Sequence, residues 1–365
     1  MCGIAGIVNL SEEKVDPSDI EAMLSKIKHR GPDDEGLFIR DNIGLGHVRL
    51  SIIDLSSAGH QPMYSTDERY LIIFNGEIYN YLELRAELAD KYSFKSKTDT
   101  EVLLASYITW GEKCLSKFNG DFSFVIYDTY EKSIFGSRDR FGIKPFYYHI
   151  DRDKFIFASE IKAILPLLSE VQPNNKSIFE YLSFNRCDQS NETFFSSIFK
   201  LPHGHCFTIK DGKFKIKRWY HLAEQIQYPK PIGTEEYREQ LQKSIKLRLR
   251  SDVPIGVCLS GGIDSSSLTS LLYFDFNIKE LKTFSAVFAK GHWADESAYI
   301  DAYNGILNHM HFVTPNGESF YNEFHEFIVS QCEPMPSVSP YAQYKVMQLA
   351  KGNVGVTLDG QGADE

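Results

Sequence analysis

A cysteine stands at position 2, directly behind the initiator methionine. Its small side chain predicts that Met1 is removed, which leaves Cys2 as the first residue with a free α-amine. That amine has an ordinary pKa of roughly 7.7 to 8.0, so it can accept the proton of its own thiol, directly or through a water. Taken alone, such a cysteine is more often a strand residue than a nucleophile, and its context has to decide. A second concentration of chemistry is Val257-Cys258-Leu259-Ser260-Gly261-Gly262-Ile263-Asp264-Ser265-Ser266, a glycine-rich turn between an apolar run and a helical one. Amides of such a turn and of the helix N-terminus can cradle phosphate oxygens. No Gly-Lys-Ser/Thr follows, so it is not a Walker A loop. A third is Asp359-Gly360-Gln361-Gly362-Ala363-Asp364-Glu365, which follows an apolar run and brings carboxylates to a glycine-rich loop.

The elements that would position these groups divide at a linker. Up to about residue 220 the pattern is one of short strands and tight turns with few helices, an antiparallel α+β arrangement. Strands are expected at 2–8, 70–77, 122–127, 133–137, 146–149 and 155–159. Asp16-Pro17 is an N-cap and first-turn pair for a helix whose Ile20, Met23, Leu24 and Ile27 share one face, stopped by Gly31-Pro32. Asn80 with Glu83 opens a second helix and residues 98–109 form a third. Residues 221–234 lose periodicity and carry two prolines, as a linker does. Beyond a lead helix at 235–250, strands at 255–259, 283–288, 310–314 and 354–358 alternate with helices at 265–273, 296–307, 320–332 and 341–351. That alternation is the signature of a doubly wound parallel α/β sheet, which binds ligands beyond the carboxyl ends of its strands. The loops after Leu259, Phe288 and Leu358 are therefore the candidate sites.

Composition narrows the partners. The 365 residues are 42% hydrophobic and 24% charged, with a net charge of -10, so neither nucleic acid nor anionic lipid is expected to be drawn to the chain as a whole. Through residue 234 there are 29 basic and 32 acidic residues, and beyond it 10 and 17. A polyanion bound by this second, acidic half would need backbone amides and a cation. The six cysteines are scattered with no metal-ligand spacing, which points to reduced thiols and a cytoplasmic protein. No apolar run approaches the ~18 residues of a membrane span, and the N-terminus lacks the basic region of a secretion signal.

Five further runs give Cys2 its context: Arg30-Gly31-Pro32-Asp33, Arg49 to Asp54, Gln61-Pro62, Asn75-Gly76-Glu77-Ile78-Tyr79-Asn80, and Lys97 to Glu101. Each reads alone as a turn or a solvated charge, and Asn75-Gly76 as a hairpin turn. Together, behind Met-Cys-Gly, they resemble the glutaminase domain of class II glutamine amidotransferases over residues 2–220. The resemblance implies an N-terminal-nucleophile (Ntn) hydrolase sandwich. It makes Cys2 the nucleophile toward the glutamine carboxamide, and the Asn75 side chain and Gly76 amide the oxyanion donors. Arg49 would hold the substrate α-carboxylate and Glu77 with Asp99 its α-ammonium, while the backbone around Ile53 would help hold the ligand. Arg138 to Pro145 and Phe157 to Lys162 are also family-like and read as structural or domain-contact segments.

The loop at 260–266 resembles that of ATP pyrophosphatases, and the run at 359–365 that of the glutamine-hydrolysing asparagine synthetases. The resemblance implies ATP and Mg²⁺: Ser260, Gly261, Gly262, Ser265 and Ser266 on phosphate, Asp264 and Asp364 on the metal, and Leu259, Ala286, Asp359 and Gly360 about the nucleoside. Expected small-molecule partners are glutamine, ATP and aspartate or another carboxylate, in a possible homodimer. The expected product is asparagine, formed by ammonia attacking a β-aspartyl-adenylate. The family usually has Ser where Asp359 stands, which leaves open a different acceptor on a sugar or secondary metabolite. Because the run at 359–365 ends the chain, residues 235–365 are expected to be the N-terminal part of a synthetase domain, and a glutaminase-only fragment or subunit also stays open.

Overall fold

A computed structural model describes residues 1–11, 13–226, 231–289, 291–292 and 295–362. The chain divides into two compact units, Met1–Gly233 and Thr234–Glu365.

In the first unit twelve strands are described: β1 (Gly3–Asn9), β2 (Asp34–Arg40), β3 (Ile43–Arg49), β4 (Met63–Tyr64), β5 (Tyr70–Ile78), β6 (Gly120–Asp128), β7 (Ser133–Arg138), β8 (Tyr147–Ile150), β9 (Lys154–Ala158), β10 (Phe199–Lys200), β11 (His205–Lys210) and β12 (Lys213–Arg218). They form two six-stranded sheets, ordered β10-β8-β9-β1-β3-β2 and β12-β11-β7-β6-β5-β4. Every strand pair in them is antiparallel. The facing sides are joined by a buried cluster that includes Ile4, Leu45, Ile73, Phe155, Phe157 and Phe207. Helix α1 (Pro17–Ile27) buries Ile20, Met23, Leu24 and Ile27, with Asp16 capping it through Ser18 N. On the second sheet, α2 (Tyr81–Leu88) and α3 (Asp99–Trp110) contribute Leu84 and Val102 to Leu104 to another cluster with Phe74, Phe122 and Phe124. Two antiparallel sheets packed face to face with helices outside are the Ntn-type sandwich.

The expected strands are present within a residue or two, and those at 34–40, 43–49, 205–210 and 213–218 were not anticipated. β3 was obscured by its glycines. A Cβ on Gly44 or Gly46 would stand 2.8 or 2.9 Å from the side chains of Ile20 and Leu24, so α1 lies directly on the strand. Asn75-Gly76 is no hairpin turn; it lies inside β5, opposite Ser123 and Phe122 of β6. Asn80 precedes α2 without capping it, because its amide is used on Lys117 O and Asn119 N.

The second unit holds a four-stranded parallel sheet of β13 (Ile255–Cys258), β14 (Lys282–Ala286), β15 (His309–Val313) and β16 (Val356–Leu358), in the order β15-β14-β13-β16. Successive strands step one way from β13 and β16 returns to its other side. The reversal puts the topological switch point at the ends of β13 and β16, where loops diverge and open a crevice. The helix expected over 296–307 is instead one turn, Ser297–Ile300, and a 3₁₀ turn, Asp301–Tyr303, before Asn304-Gly305. The other helices are close to expectation, at Thr234–Arg248, Ile263–Ser270, Gly317–Gln331 and Ser339–Ala350.

Candidate active sites

Cys2 sits at the entry to β1, in the middle of its sheet, and borders a small cavity of about 50 Å³. Arg49, Ile53, Asn75, Gly76, Glu77 and Asp99 line the same cavity. Residues up to 97 positions apart in sequence are thus gathered about one sulfur.

The sulfur is held by Leu50, whose amide donates to it at 3.4 Å and whose carbonyl accepts from it at 3.6 Å. Arg30 Nε donates to the Cys2 carbonyl at 2.9 Å, and its Nη1 pairs with Glu160 at 2.8 Å. Glu160 also meets Lys162 at 2.8 Å. Although burial opposes it, hydrogen bonds and charge from His29, Arg30 and Lys162 hold this carboxyl down to about 2. Burial raises the Cys2 thiol above its ordinary value, an effect only partly offset by the Leu50 amide and the N-terminal charge. Burial also lowers the α-amine of Met1, to about 6.

Asn75 is fully buried, yet both its amide nitrogen and its oxygen lack a protein partner. A buried amide left this way is costly unless something binds it. Gly76 follows in a tight site, since a Cβ there would lie 2.2 Å from the Asp121 carbonyl. Opposite, Arg49 uses its fork on the loop it closes, donating to Ser56 O at 2.8 Å, to Ile53 O at 3.5 Å and to Asp54 O. Gly59 lets that guanidinium lie flat, because a Cβ would fall 1.8 Å from Arg49 Nη2. Asp99 opens α3, whose cap is the Thr98 side chain, and accepts from Ile78 N at 2.9 Å. Burial lifts Asp99 to about 6 against these amides. Burial and the neighbouring Asp99 lift Glu77 to about 7. Two buried carboxyls that resist ionising are primed for a cation.

In the second unit one cavity of about 240 Å³ is lined by Ser260, Gly262, Asp264, Ser265, Asp359 and Gly360, and by Cys258, Gln343, Gln361 and Gly362. A neighbouring one of about 200 Å³ is lined by Leu259 and Ala286 with Phe288, Glu296 and others. Gly261 and Ser266 line neither. Gly261 adopts φ +97, which favours glycine, and the Ser266 amide closes the first helical turn on Gly262 O at 3.0 Å. The loop bonds to itself through Ser260 Oγ and Ser265 Oγ at 3.0 Å. A Cβ on Gly360 would lie 3.0 Å from Asp264 Cβ and 3.1 Å from Ser265 N, so the two glycine-rich loops pack directly against each other. Asp359 accepts from Gln343 at 3.2 Å and from Gln361 N at 2.9 Å. Burial first, then Asp359, pushes the Cys258 thiol up to about 12. Asp364 lies outside the described residues, and among the described residues no cluster of three metal-binding side chains occurs.

The glutamine amidotransferase domain model matches residues 1–220, and the asparagine synthase model matches residues 236–365. Along its whole length the chain is 38% identical to a glutamine-hydrolysing asparagine synthetase 2 of Methanocaldococcus jannaschii, spanning 75% of that protein. It is also 38% identical to asparagine synthetase 1 of Bacillus subtilis, and 30% identical to the amidase chry2 of Gibberella zeae, spanning 58% and 59% of them. This chain belongs to the glutamine-hydrolysing asparagine synthetase family. Among solved structures, glutamine PRPP amidotransferase of B. subtilis aligns over 88% of the chain and 70% of its own, at 17% identity and a TM-score of 0.46.

The synthetase-family cavity also contains residues that motif reading assigned no role. Lys144 lines it from a segment taken as structural. The buried Asp139 carboxylate shapes that segment by accepting from the amides of Phe141, Ile143 and Lys144. Gln61, Thr98 and Thr100 line it too. Charge alone could have marked Lys144, but nothing in the sequence says that the 138–145 loop turns toward Cys2. Among the described residues no disulfide joins any of the six cysteines, and no helix is long and apolar enough to cross a membrane.

Proposed function

We propose that this chain hydrolyses glutamine at Cys2 and that the ammonia is used, in the whole protein, to convert a carboxylate activated as its adenylate into an amide. Aspartate is the proposed acceptor and asparagine, glutamate, AMP and pyrophosphate the products. The observation that carries the first half is the buried, unpartnered Asn75 amide in the cavity of Cys2, which two carboxyls and a guanidinium also line.

With Met1 removed, the Cys2 amine takes the thiol proton and the sulfur attacks the glutamine carboxamide carbon. Charge developing on the carboxamide oxygen is met by Asn75 Nδ2 and the Gly76 amide. The C–N bond breaks as the amine returns its proton to the departing nitrogen, giving ammonia and a thioester. Water then cleaves the thioester to glutamate and the free thiol. Arg49 donates to the α-carboxylate, and Glu77 with Asp99, in ionised form, accept from the α-ammonium.

In the second unit the Asp264 carboxylate and the hydroxyls of Ser260 and Ser265 line the same cavity, oxygen donors that suit Mg²⁺, a hard cation bound through one or two carboxylates and substrate phosphates. Asp264, and Asp364 by resemblance, would hold it, and the ion would neutralise the triphosphate in this acidic half. The chain's own contribution there is the loop of residues 260–266, which orients phosphate at the N-terminus of the Ile263–Ser270 helix. A cytosolic location fits six scattered cysteines without a disulfide framework.

In the whole protein, Cys2→Ala is expected to abolish glutamine-dependent synthesis while leaving synthesis from free ammonia within about twofold. Loss of both would refute separate sites. A second reading keeps this chemistry and changes the acceptor. It is favoured by the Asp359 carboxylate in the crevice and by a relative named as an amidase. Pyrophosphate release across a panel of carboxylic acids decides: aspartate giving the largest kcat/KM supports the first reading, and any other acid the second.

A further inference from the structure

The Gly76 amide sits on a stretch of the β5 edge that, among the described residues, no strand covers. β4 pairs with Leu71 and Ile72 only. In an antiparallel strand, every second residue turns its amide and carbonyl toward the same edge, so Ile72, Phe74, Gly76 and Ile78 share one. Ile72 bonds to β4. Phe74 is held by two side chains: its amide donates to Gln61 Oε1 at 2.7 Å and its carbonyl meets His47 Nε2 at 3.1 Å. At Ile78 the amide donates to Asp99. Gly76, between the two held positions, opens on the Cys2 cavity.

The clamp itself is built and buried. Gln61 is 3% exposed and its other amide atom donates to Thr100 at 3.3 Å, in the first turn of α3. His47 is fully buried on the face of β3 that also carries Ile43 and Leu45. A carbonyl can only accept, so His47 Nε2 carries the proton and Nδ1 is bare; Nδ1 is buried with no partner. Burial holds this imidazole at about 3, so it stays a neutral, fixed donor at working pH.

From this geometry we infer that Gln61 and His47 are positioning residues for the glutaminase reaction: together they replace a neighbouring strand at Phe74 and so fix where Asn75 and Gly76 present their oxyanion donors. The inference rests on the glutaminase reading of the Cys2 site. Gln61 also borders the Cys2 cavity, but the role assigned to both side chains is exerted through one backbone residue, Phe74. A misplacement of about 1 Å in such a donor can cost 10²-fold in rate, and its complete loss costs about 10² to 10³.

The test uses the whole protein with Gln61→Leu and His47→Leu, which remove the clamp, and Gln61→Glu and His47→Gln, which keep an acceptor for Phe74 N–H and a donor for Phe74 O. Glutaminase kcat and KM are measured together with inhibition by glutamate γ-semialdehyde, whose adduct with Cys2 places an oxygen at the oxyanion position. Expected for each Leu variant are a kcat loss of about 30- to 100-fold, KM within about twofold, and a loss of aldehyde affinity parallel to that of kcat/KM. The conservative variants should recover kcat to within about fivefold of wild type. A folded Leu variant with kcat near wild type, or one that loses kcat but not aldehyde affinity, overturns the inference. If the Leu variants fail to fold, the conservative pair decides: a kcat loss above about 30-fold with an unchanged melting temperature overturns it, and near-wild-type kcat with an unchanged aldehyde affinity supports it. Cys2→Ala run in parallel separates the two levels. Glutamine hydrolysis surviving there would refute the glutaminase reading and the clamp with it, whereas the Leu outcomes bear on the clamp alone.

Discussion

Glu77 and Asp99 face the cavity with pKa values of about 7 and 6, raised chiefly by burial. Folded values above the unfolded ones mean that their stabilising contribution is full at low pH and falls away as pH rises through about 6 to 7. A bound α-ammonium reverses that preference, so glutamine binding must release the protons these carboxyls hold. The KM for glutamine should therefore rise as pH falls below about 7, approaching tenfold per pH unit for each proton released. Steady-state kinetics between pH 8 and 5 test this, and a flat KM would refute the role given to the pair. Legibility at this scale was uneven. The cavity residues Cys2, Arg49, Asn75, Glu77 and Asp99 stood out because their runs together resemble a glutaminase domain, although each alone reads as a turn or a solvated charge. Gln61 stood in one of those runs without a role and His47 in none, because their significance lies in which backbone atoms they reach across 13 and 27 residues of sequence separation.

Elements place these groups by meeting their ends at the sites. β1 begins at Cys2, β5 runs out through Asn75 and Gly76, and α3 starts at Asp99. In the second unit, the Ile263–Ser270 helix begins against the loop that follows β16. The closeness of that contact predicts a selective defect. In Gly360→Ala the new methyl would press on Asp264 and the Ser265 amide, both fixed by the helix backbone. The variant should lose ATP-dependent pyrophosphate release at least tenfold while glutamine hydrolysis stays within about twofold, as parallel assays of the two half-reactions would show; equal loss of both would count against the assignment. The helix α1 was readable from its cap and its apolar spacing. The glycine-rich β3 was not, since close helix approach replaces its apolar residues with glycine, whereas the edge strand β12, though not anticipated, keeps its alternation in Lys213-Phe214-Lys215-Ile216-Lys217 and was legible.

Over the whole molecule the change from antiparallel to parallel architecture was visible as a change in the rhythm of apolar runs, and the two compact units meet in sequence at Gly233 and Thr234. What rhythm could not convey was strand order, because pairing is decided by contacts distant in sequence. The order β15-β14-β13-β16 has a consequence for synthesis. Strand β13 can pair with β14 once both exist, but the second wall of the crevice belongs to β16, and Ser260 waits for Asp359. Units that emerge first from the ribosome fold first, and parallel pairing over such a separation is slow. The Cys2 cavity draws on nothing beyond Lys144, and its sandwich is complete by Arg218. A growing chain therefore has a finished Cys2 cavity some 140 residues before it has a crevice beside Asp264.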